Sequence, residues 1–533
     1  MAGVSPGATG NLALAIIDAM SLDRDTPVFV IGAGIMGAGI AQVAAQAGHA
    51  VALFDAREGA AAAACAKLAA TLDGLAAKGK LDAAEAKAIA GRIRAATRLD
   101  EAAAAGLVIE AIVENAEVKR GLFRDLEAVA GADCIVASNT SSISITALAN
   151  GLKAPGRFVG MHFFNPVPLM KLVEVVSGLQ TDRVVADAIF DLSRRWGKTP
   201  VHARSTPGFI VNRIARPYYA EALALLHEQL ATPATIDACL RGAGFRMGPC
   251  ELMDLIGHDT NFAVTQSVFE ANFGDKRYQP SLVQRELVDG GLLGRKSGRG
   301  FFSYGDAKVA PAATPAWVAP PVPPGAMVAL HGRGIAVDRW AARLEEAGLN
   351  FEADPSSRWN GLQTDAGELR LSDGRAATRV AAEDGIRELA VFDLAIAPSG
   401  GEPGTALALA FAASASASWR EQAADWLRIA GWQPQLVGDA PGLIVARTVA
   451  MLVNEASDAV HQGVCTSEGA DLAMKLGVNH PAGPFEFLAR WHAATIEALL
   501  DQLDVHYRGE RYRVSPGLRE RAWLALLGAS ATH

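Results

Sequence analysis

The segment VFVIGAGIMG, residues 28–37, constrains the fold of this chain more than any other stretch. An apolar strand runs straight into Gly32-x-Gly34-x-x-Gly37, and a helix-like run, AGIAQVAAQAG, follows. In a turn of this kind the first glycine permits the tight bend. The second removes a side chain from the path of a phosphate, and the third lets the helix pack closely on the strand. A pyrophosphate would rest on the unpaired N–H groups and the positive end of that helix. A second apolar stretch, HAVALFD, ends in Asp55. An acid at the end of the second strand suits a ribose diol and repels a 2′-phosphate, so the turn is expected to bind NAD.

Alternating apolar and helical stretches continue to residue 204, with strands expected at 28–31, 51–54, 107–112, 134–138, 158–163 and 173–176. Such alternation implies a mostly parallel sheet covered by helices. Between the second and third strands lies an Ala-rich stretch broken at Lys78-Gly79-Lys80, where Asp82 and Glu85 have capping-box spacing. A helical hairpin is expected there. Lys67, Thr71 and Lys78 would share one face of its first helix, either as a solvated face or as a phosphate-binding one. From Thr206 the period becomes helical and continues to about residue 287. A stretch with six prolines between Pro311 and Pro324 then reads as an extended spacer.

The second half repeats the first in weakened form. VALHGRGIAVD, residues 328–338, keeps Gly332 and Gly334 but has Val337 at the third glycine and Pro355 at the position of Asp55. WQPQLVGDAPGLIVAR parallels GKTPVHARSTPGFIVNR, and GVNHPAGPFEFL parallels GFRMGPCELMDL. The expected architecture is an α/β Rossmann-type domain plus an α-helical domain, followed by a degenerate second copy of both. The expected divisions are an N-terminal extension (1–26), a nucleotide-binding domain with the hairpin insert (27–205), a helical domain (206–304), a linker (305–324), a degenerate nucleotide-type domain with a structural or regulatory role (325–438) and a second helical domain (439–533).

A net charge of −8 argues against nucleic acid as a main partner. Five scattered cysteines, an odd number without CxxC, fit reduced thiols in a cytoplasmic protein, and Cys250 reads as packing. No metal site is expected. The early run LALAIIDAM is interrupted by Asp18, and no basic residue precedes Arg24, so it does not read as a signal peptide. No run approaches the roughly 20 apolar residues of a membrane span, and no membrane partner is expected.

The chemistry-bearing residues follow the strand CIVAS: Ser-Asn-Thr-Ser-Ser-Ile at 138–143, then MHFFNPVPLMKLVEVV at 161–176. Small polar residues at the carboxyl end of a parallel strand lie where such sheets bind ligands. His162 and Glu174 could meet if adjacent strands carry them. A His–carboxylate pair supplies a base in a chosen tautomer and stabilises the cation it becomes.

The motifs GAGIMG, VIEAIVEN, SNTSSI, HFFNPVPLMKLVEVV and TPGFIVNRI occur here in the order found in L-3-hydroxyacyl-CoA dehydrogenases, and the chain resembles that family over residues 27–304. The tandem layout resembles its phenylacetate-degradation branch, whose members oxidise 3-hydroxyadipyl-CoA; 3-hydroxybutyryl-CoA dehydrogenases are the near alternative. The resemblance implies an acyl-CoA substrate, with His162 as base, Glu174 as its partner, Ser141 near the substrate oxygen, and Asn212 completing that oxygen site from the helical domain. It implies NAD contacts at Gly32, Gly34, Ile35, Met36, Gly37, Asp55, Glu114, Lys119, Ser141, Asn165 and Lys296, and CoA contacts at Lys67, Thr71 and Lys78. Arg213, Arg216, Arg246 and Arg295 are candidates for a terminal carboxylate of the substrate. In the second copy Ala446 faces Asn212 and nothing resembles HFFNP, so one active site per chain is expected. Residues 439–533 are expected to pack on 206–304 as an internal mimic of a helical-domain dimer, which leaves room for a homodimer. Rival readings are a related dehydrogenase of free hydroxy acids or sugar acids and a non-catalytic structural or NAD-sensing protein that kept the fold.

Overall fold

The four residues of β1, Val28–Ile31, are all buried, as befits a central parallel strand covered by helices on both faces. Around it form β2 (Val51–Phe54), β3 (Ile93–Ala95), β4 (Leu107–Glu110), β5 (Ile135–Ser138), β6 (Phe158–Phe163), β7 (Leu172–Ser177) and β8 (Thr199–Arg204). The order is β3-β2-β1-β4-β5-β6-β7-β8. Neighbours run parallel except β6 and β7. The chain leaves β1 to one side and returns for β4 on the other, so the crevice for a ligand opens at the carboxyl ends of β1 and β4. The sequence did not announce β3 or β8. The first is three residues at one edge, and the second, TPVHAR, is an edge strand with the proline and charge that edges tolerate.

The computed structural model describes residues 22–305, 317–396 and 401–528. Nearly all of the expected N-terminal extension and the first part of the proline-rich stretch lie outside these. The chain divides into two compact units, residues 1–213 with 462–478, and residues 214–461 with 479–533.

In the first unit the hairpin consists of helices Ala60–Ala77 and Ala83–Gly91. Asp82 caps the second by accepting from the amides of Ala84 and Glu85. Contrary to the sequence reading, Ala60–Ala77 is long and apolar enough, by length and composition, to cross a membrane. Its hydropathy comes from alanine, and its Leu72 packs into the core of the first sheet.

In the second unit a seven-stranded sheet is built from β9 (Val328–His331), β10 (Glu352–Asp354), β11 (Gly361–Thr364), β12 (Glu368–Leu371), β13 (Leu389–Phe392), β14 (Thr405–Phe411) and β15 (Trp432–Leu436), in the order β10-β9-β11-β12-β13-β14-β15. β9 and β10 repeat β1 and β2, but β11 runs antiparallel to both β9 and β12 where β4 runs parallel to its neighbours. A parallel neighbour needs a crossover of a dozen residues or more, whereas a hairpin needs a short turn. The turn between β11 and β12 therefore takes the place of the crossover helix Ala116–Glu127. Trp340, Trp419 and Trp432 fill the core of this sheet.

The two copies share their helices reciprocally. In the first unit, helix Ser467–Gly477 of the second copy lies on β7 and β8, and the amide of Arg204 donates to the carbonyl of Val464 at 2.9 Å. In the second unit, helix Pro233–Gly242 of the first copy lies on β14, and the amide of Gly438 donates to the carbonyl of Leu230 at 2.7 Å. Residues 462–478 thus belong with the first sheet, a departure from the expectation that all of 439–533 would join residues 206–304. Within the second unit, helix Val445–His461 packs on Arg216–His227. There Glu221 accepts from Arg511 (2.9 Å) and Tyr512 (3.0 Å), and Glu455 accepts from Arg277 (3.2 Å) and Tyr278 (2.5 Å). Each residue of one set stands at one constant offset along the chain from its counterpart in the other.

Candidate active site

The glycine turn joins β1 to helix Ile35–Gln46. A Cβ on Gly37 would lie 1.8 Å from the carbonyl oxygen of Gly32, so the close helix–strand contact demands glycine there. A Cβ on Gly34 would meet no protein atom within 4 Å, and Gly34 starts the helix with no side-chain cap. Its bareness serves whatever approaches from outside. Open amides and the positive helix end fit the pyrophosphate of NAD. Ile35 is 76% exposed beside the turn, whereas Met36 packs against the core. Asp55 accepts from the amide of Ala33 at 2.8 Å and from the amide and guanidinium of Arg57. The Arg57 guanidinium holds the Asp55 carboxyl down, to about 2, against the opposing effect of burial. The ionised acid is thereby fixed at the end of β2, next to the turn.

A buried acid that sequence reasoning missed, Glu110, closes β4. Its carboxylate accepts from the Ile112 amide (2.7 Å), Ser138 Oγ (2.6 Å) and Lys119 Nζ (2.5 Å). Lys119 also pairs with Glu114 at 3.2 Å and is 1% exposed. The ammonium of Lys119, an expected NAD contact, is enclosed between the carboxylates of Glu110 and Glu114. Glu114 in turn gathers the loop after β5. Its Oε1 accepts from Thr140 Oγ1 (2.7 Å), the amides of Ser141 (2.9 Å) and Ser142 (3.1 Å), and both serine hydroxyls. Burial pushes the Glu114 carboxyl up, but the Lys119 ammonium and these donors outweigh it and leave it below its ordinary value. The one sequence signal for Glu110 was an acid ending an otherwise apolar strand.

His162 and Glu174 face each other across the antiparallel β6–β7 pair. His162 Nδ1 lies 2.5 Å from Glu174 Oε2, and both side chains are buried. The other oxygen of Glu174 accepts from the amides of Ile210 (3.0 Å) and Val211 (2.9 Å), where the chain enters helix Val211–Ile214. Phe164 and Phe209 pack against the imidazole. With Nδ1 donating to the carboxylate, Nε2 is the basic nitrogen. Asn139 Oδ1 accepts from the Phe163 amide and ties the serine loop to the end of β6. Asn212 Nδ2 reaches the Ser141 carbonyl at 3.4 Å. Asn212 opens the helical segment as expected, and it falls in the same compact unit as His162, where Glu174 clamps the start of its helix to the sheet.

The remaining expected contacts are more dispersed. Asn165 is exposed just after β6. Lys296 lies in the second unit, ion-paired with Asp259. Lys67, Thr71 and Lys78 are exposed on and just past helix Ala60–Ala77, with the Thr71 hydroxyl turned back to the Lys67 carbonyl. Of the four arginines, Arg213 is buried and bonds Gln462, Arg216 is buried and bonds Thr265, Arg295 pairs with Glu251, and Arg246 is exposed. Cys250 is fully buried, and burial raises its thiol well above its ordinary value, which fits packing.

The second copy keeps the clamp and has no counterpart of the His–Glu pair. The Asp393 amide donates to Ala408 across the β13–β14 pair, which places Asp393 at the position of His162 and Ala408 at that of Glu174. The Asp393 carboxylate accepts from the amides of Ile444 (2.9 Å), Val445 (2.6 Å) and Ala446 (3.0 Å). The helix start is held as in the first copy, but by a carboxylate on the opposite strand.

A family model for the NAD-binding domain of 3-hydroxyacyl-CoA dehydrogenase matches residues 27–206, and one for that enzyme's C-terminal domain matches 208–304 and again 442–531. A model for the reduced Rossmann-fold domain of 3-hydroxybutyryl-CoA dehydrogenase matches 369–441. The chain is 42% identical over 499 residues to the 3-hydroxyadipyl-CoA dehydrogenase of Escherichia coli K12, covering 93% of this chain and 97% of that one. It is 41% identical over 276 residues to a 3-hydroxybutyryl-CoA dehydrogenase of Clostridioides difficile, covering 52% of this chain and 98% of that one. A crystal structure described as 3-hydroxybutyryl-CoA dehydrogenase from Escherichia coli K12 superposes with a TM-score of 0.83 at 42% identity, covering 94% of this chain and 98% of that one.

Proposed function

Because this chain belongs to the 3-hydroxyacyl-CoA dehydrogenase family, we propose that it oxidises 3-hydroxyadipyl-CoA to the 3-oxoacyl thioester in an NAD-dependent reaction. The observation that carries the chemistry is the buried His162–Glu174 pair. His162 Nε2 takes the proton of the C3 hydroxyl. Glu174 holds the tautomer and stabilises the imidazolium that forms. Ser141 and Asn212 orient the substrate oxygen from the loop after β5 and the helix after β8. NAD, bound at the glycine turn with Asp55 at its ribose, supplies the hydride acceptor. Glu114 and the enclosed Lys119 keep the serine loop in place while the proton moves. Lys67, Thr71 and Lys78 hold the coenzyme A phosphates, and five unpaired thiols suit a cytoplasmic setting.

The adipyl assignment rests on the near full-length likeness to the Escherichia coli enzyme of that name. A 3-hydroxybutyryl substrate is the second reading, favoured by the description of the superposed crystal structure. Relative kcat/KM decides between them. A preference of about tenfold or more for 3-hydroxyadipyl-CoA is expected, and the reverse preference would establish the second reading. His162→Gln should lower kcat by roughly 10²–10⁴-fold. Near-normal turnover in that variant would overturn the mechanism.

A further inference from the structure

The second copy holds a cavity of about 840 Å³ at the carboxyl ends of β9, β12 and β13. It occupies the place that the active site has in the first copy. Ala446, the counterpart of Asn212, lines it, as does Phe392, the neighbour of Asp393. The character of the wall has changed. By strand register Leu371 stands where Asn139 does, and Val337, Phe487 and Trp491 add further apolar surface.

Two cations join this apolar wall, Arg333 from the relic of the glycine turn and Arg490 from helix Pro484–Trp491. Both are exposed, and neither guanidinium is ion-paired among the described residues. A dinucleotide is a poor fit. Val337 replaces the glycine that lets the helix close on the strand, Pro355 replaces Asp55, and Gly334 has φ +125° where Gly34 has φ −72°. Neither His162 nor Asn212 has a polar equivalent facing the cavity, since the Asp393 carboxylate is taken up by three backbone amides and Ala446 stands at the position of Asn212. What the wall retains is volume within the usual range of ligand pockets, about 300–1,000 Å³, with an apolar lining and a few polar groups. Unpaired guanidinium groups beside it select an anion.

We propose that this cavity binds an aliphatic acyl chain with an anionic head, either a free carboxylate or the phosphates of a coenzyme A thioester. Val337, Leu371, Phe392, Phe487 and Trp491 take the chain, and Arg333 and Arg490 take the head. Such a site would let the acyl ligand pool stabilise the folded chain without touching His162.

Equilibrium dialysis of the full-length protein with octanoate and with octanoyl-CoA tests this. A site outside the first copy is expected, seen as one bound octanoate, as a second bound octanoyl-CoA beyond the catalytic one, or as both. The first pattern identifies the head as a carboxylate, the second as coenzyme A phosphates, and both together as either anion. The Arg333→Glu/Arg490→Glu double variant and, separately, Thr495→Trp, which fills the cavity without changing charge, should each abolish that site. Turnover of the 3-hydroxyacyl-CoA substrate should stay unchanged, which also shows that the variants fold. No octanoate bound together with a single octanoyl-CoA per chain, or extra binding that survives both variants, would overturn the proposal.

Discussion

Glu174 divides its two oxygens between the His162 imidazole and the chain that carries Asn212. One oxygen faces His162 Nδ1, and the other receives the amides of Ile210 and Val211. In Glu174→Gln the amide oxygen can still take the backbone donors, but the NH₂ group then faces Nδ1 and forces the proton to Nε2. The base nitrogen is lost while the loop stays clamped. A kcat reduced roughly 10²–10⁴-fold with an unchanged KM for NAD is expected from steady-state kinetics, and a kcat within a few fold of the parent would show that tautomer control is unimportant. Glu110 carries a different load. Glu110→Ala would leave the buried Lys119 ammonium with Glu114 as its one remaining ionic partner among the described residues and would strand the Ser138 hydroxyl and the Ile112 amide, a loss of about 1–3 kcal/mol. Urea unfolding should show it, and a loss below about 1 kcal/mol would mean that Lys119 finds water. The pairing of His162 with Glu174 was legible in the sequence because the motif that carries them is apolar, short and strand-like. Glu110 was not, since an acid ending a strand does not reveal that its strand is central.

At the level of single elements, the glycine turn behaves as its sequence announced, and the second copy shows what its loss does. Gly37→Ala puts a methyl against the Gly32 carbonyl, and relief of that clash moves helix Ile35–Gln46 off β1. An overpacking cost of about 1–3 kcal/mol placed at the phosphate site should weaken NAD binding about tenfold or more. Calorimetry would read this directly, and unchanged affinity would show that the helix start tolerates displacement. The segment between helices Ser467–Gly477 and Pro484–Trp491 supplies a pH test. His480 is buried among Tyr218 and Phe245, and burial depresses its basicity to about 3. Below about 6.5 the unfolded His takes a proton that the folded one refuses until about 3. This contribution to stability is complete above about 6.5 and is lost as the pH falls through that window, by up to about 1.4 kcal/mol per pH unit. His480→Leu should flatten the stability profile between pH 6 and about 4; an unchanged slope would mean that other groups govern it.

On the scale of the whole molecule, the two copies use one contact set twice. Glu221 with Arg511 and Tyr512, and Glu455 with Arg277 and Tyr278, are the two halves of a self-complementary interface within one chain. The first copy alone holds both sides of that interface, in Glu221 and in Arg277 with Tyr278. Residues 22–304 expressed separately should therefore form a dimer by light scattering, and Glu221→Ala should weaken it. A stable monomer would show that the second copy contributes more than this symmetry. Equilibrium dialysis of the full chain should count one NAD, because Val337, Pro355 and Ala446 stand where Gly37, Asp55 and Asn212 serve the first copy; two would restore function to the second turn.

The sequence by itself determined the nucleotide fold, the NAD preference, the His–Glu pair and the duplication, because each rests on local spacing: strand, turn, helix, and residues facing one another across neighbouring strands. Only the tertiary structure decided that Asn212 belongs with the first sheet, that Lys119 is sealed behind Glu110, that β11 turns back where β4 crosses over, and that each copy's sheet is covered by the other copy's helix. These depend on burial and on contacts between residues far apart in the chain. Such contacts are set by which apolar faces remain to be covered once the local elements have formed, and no local spacing records them.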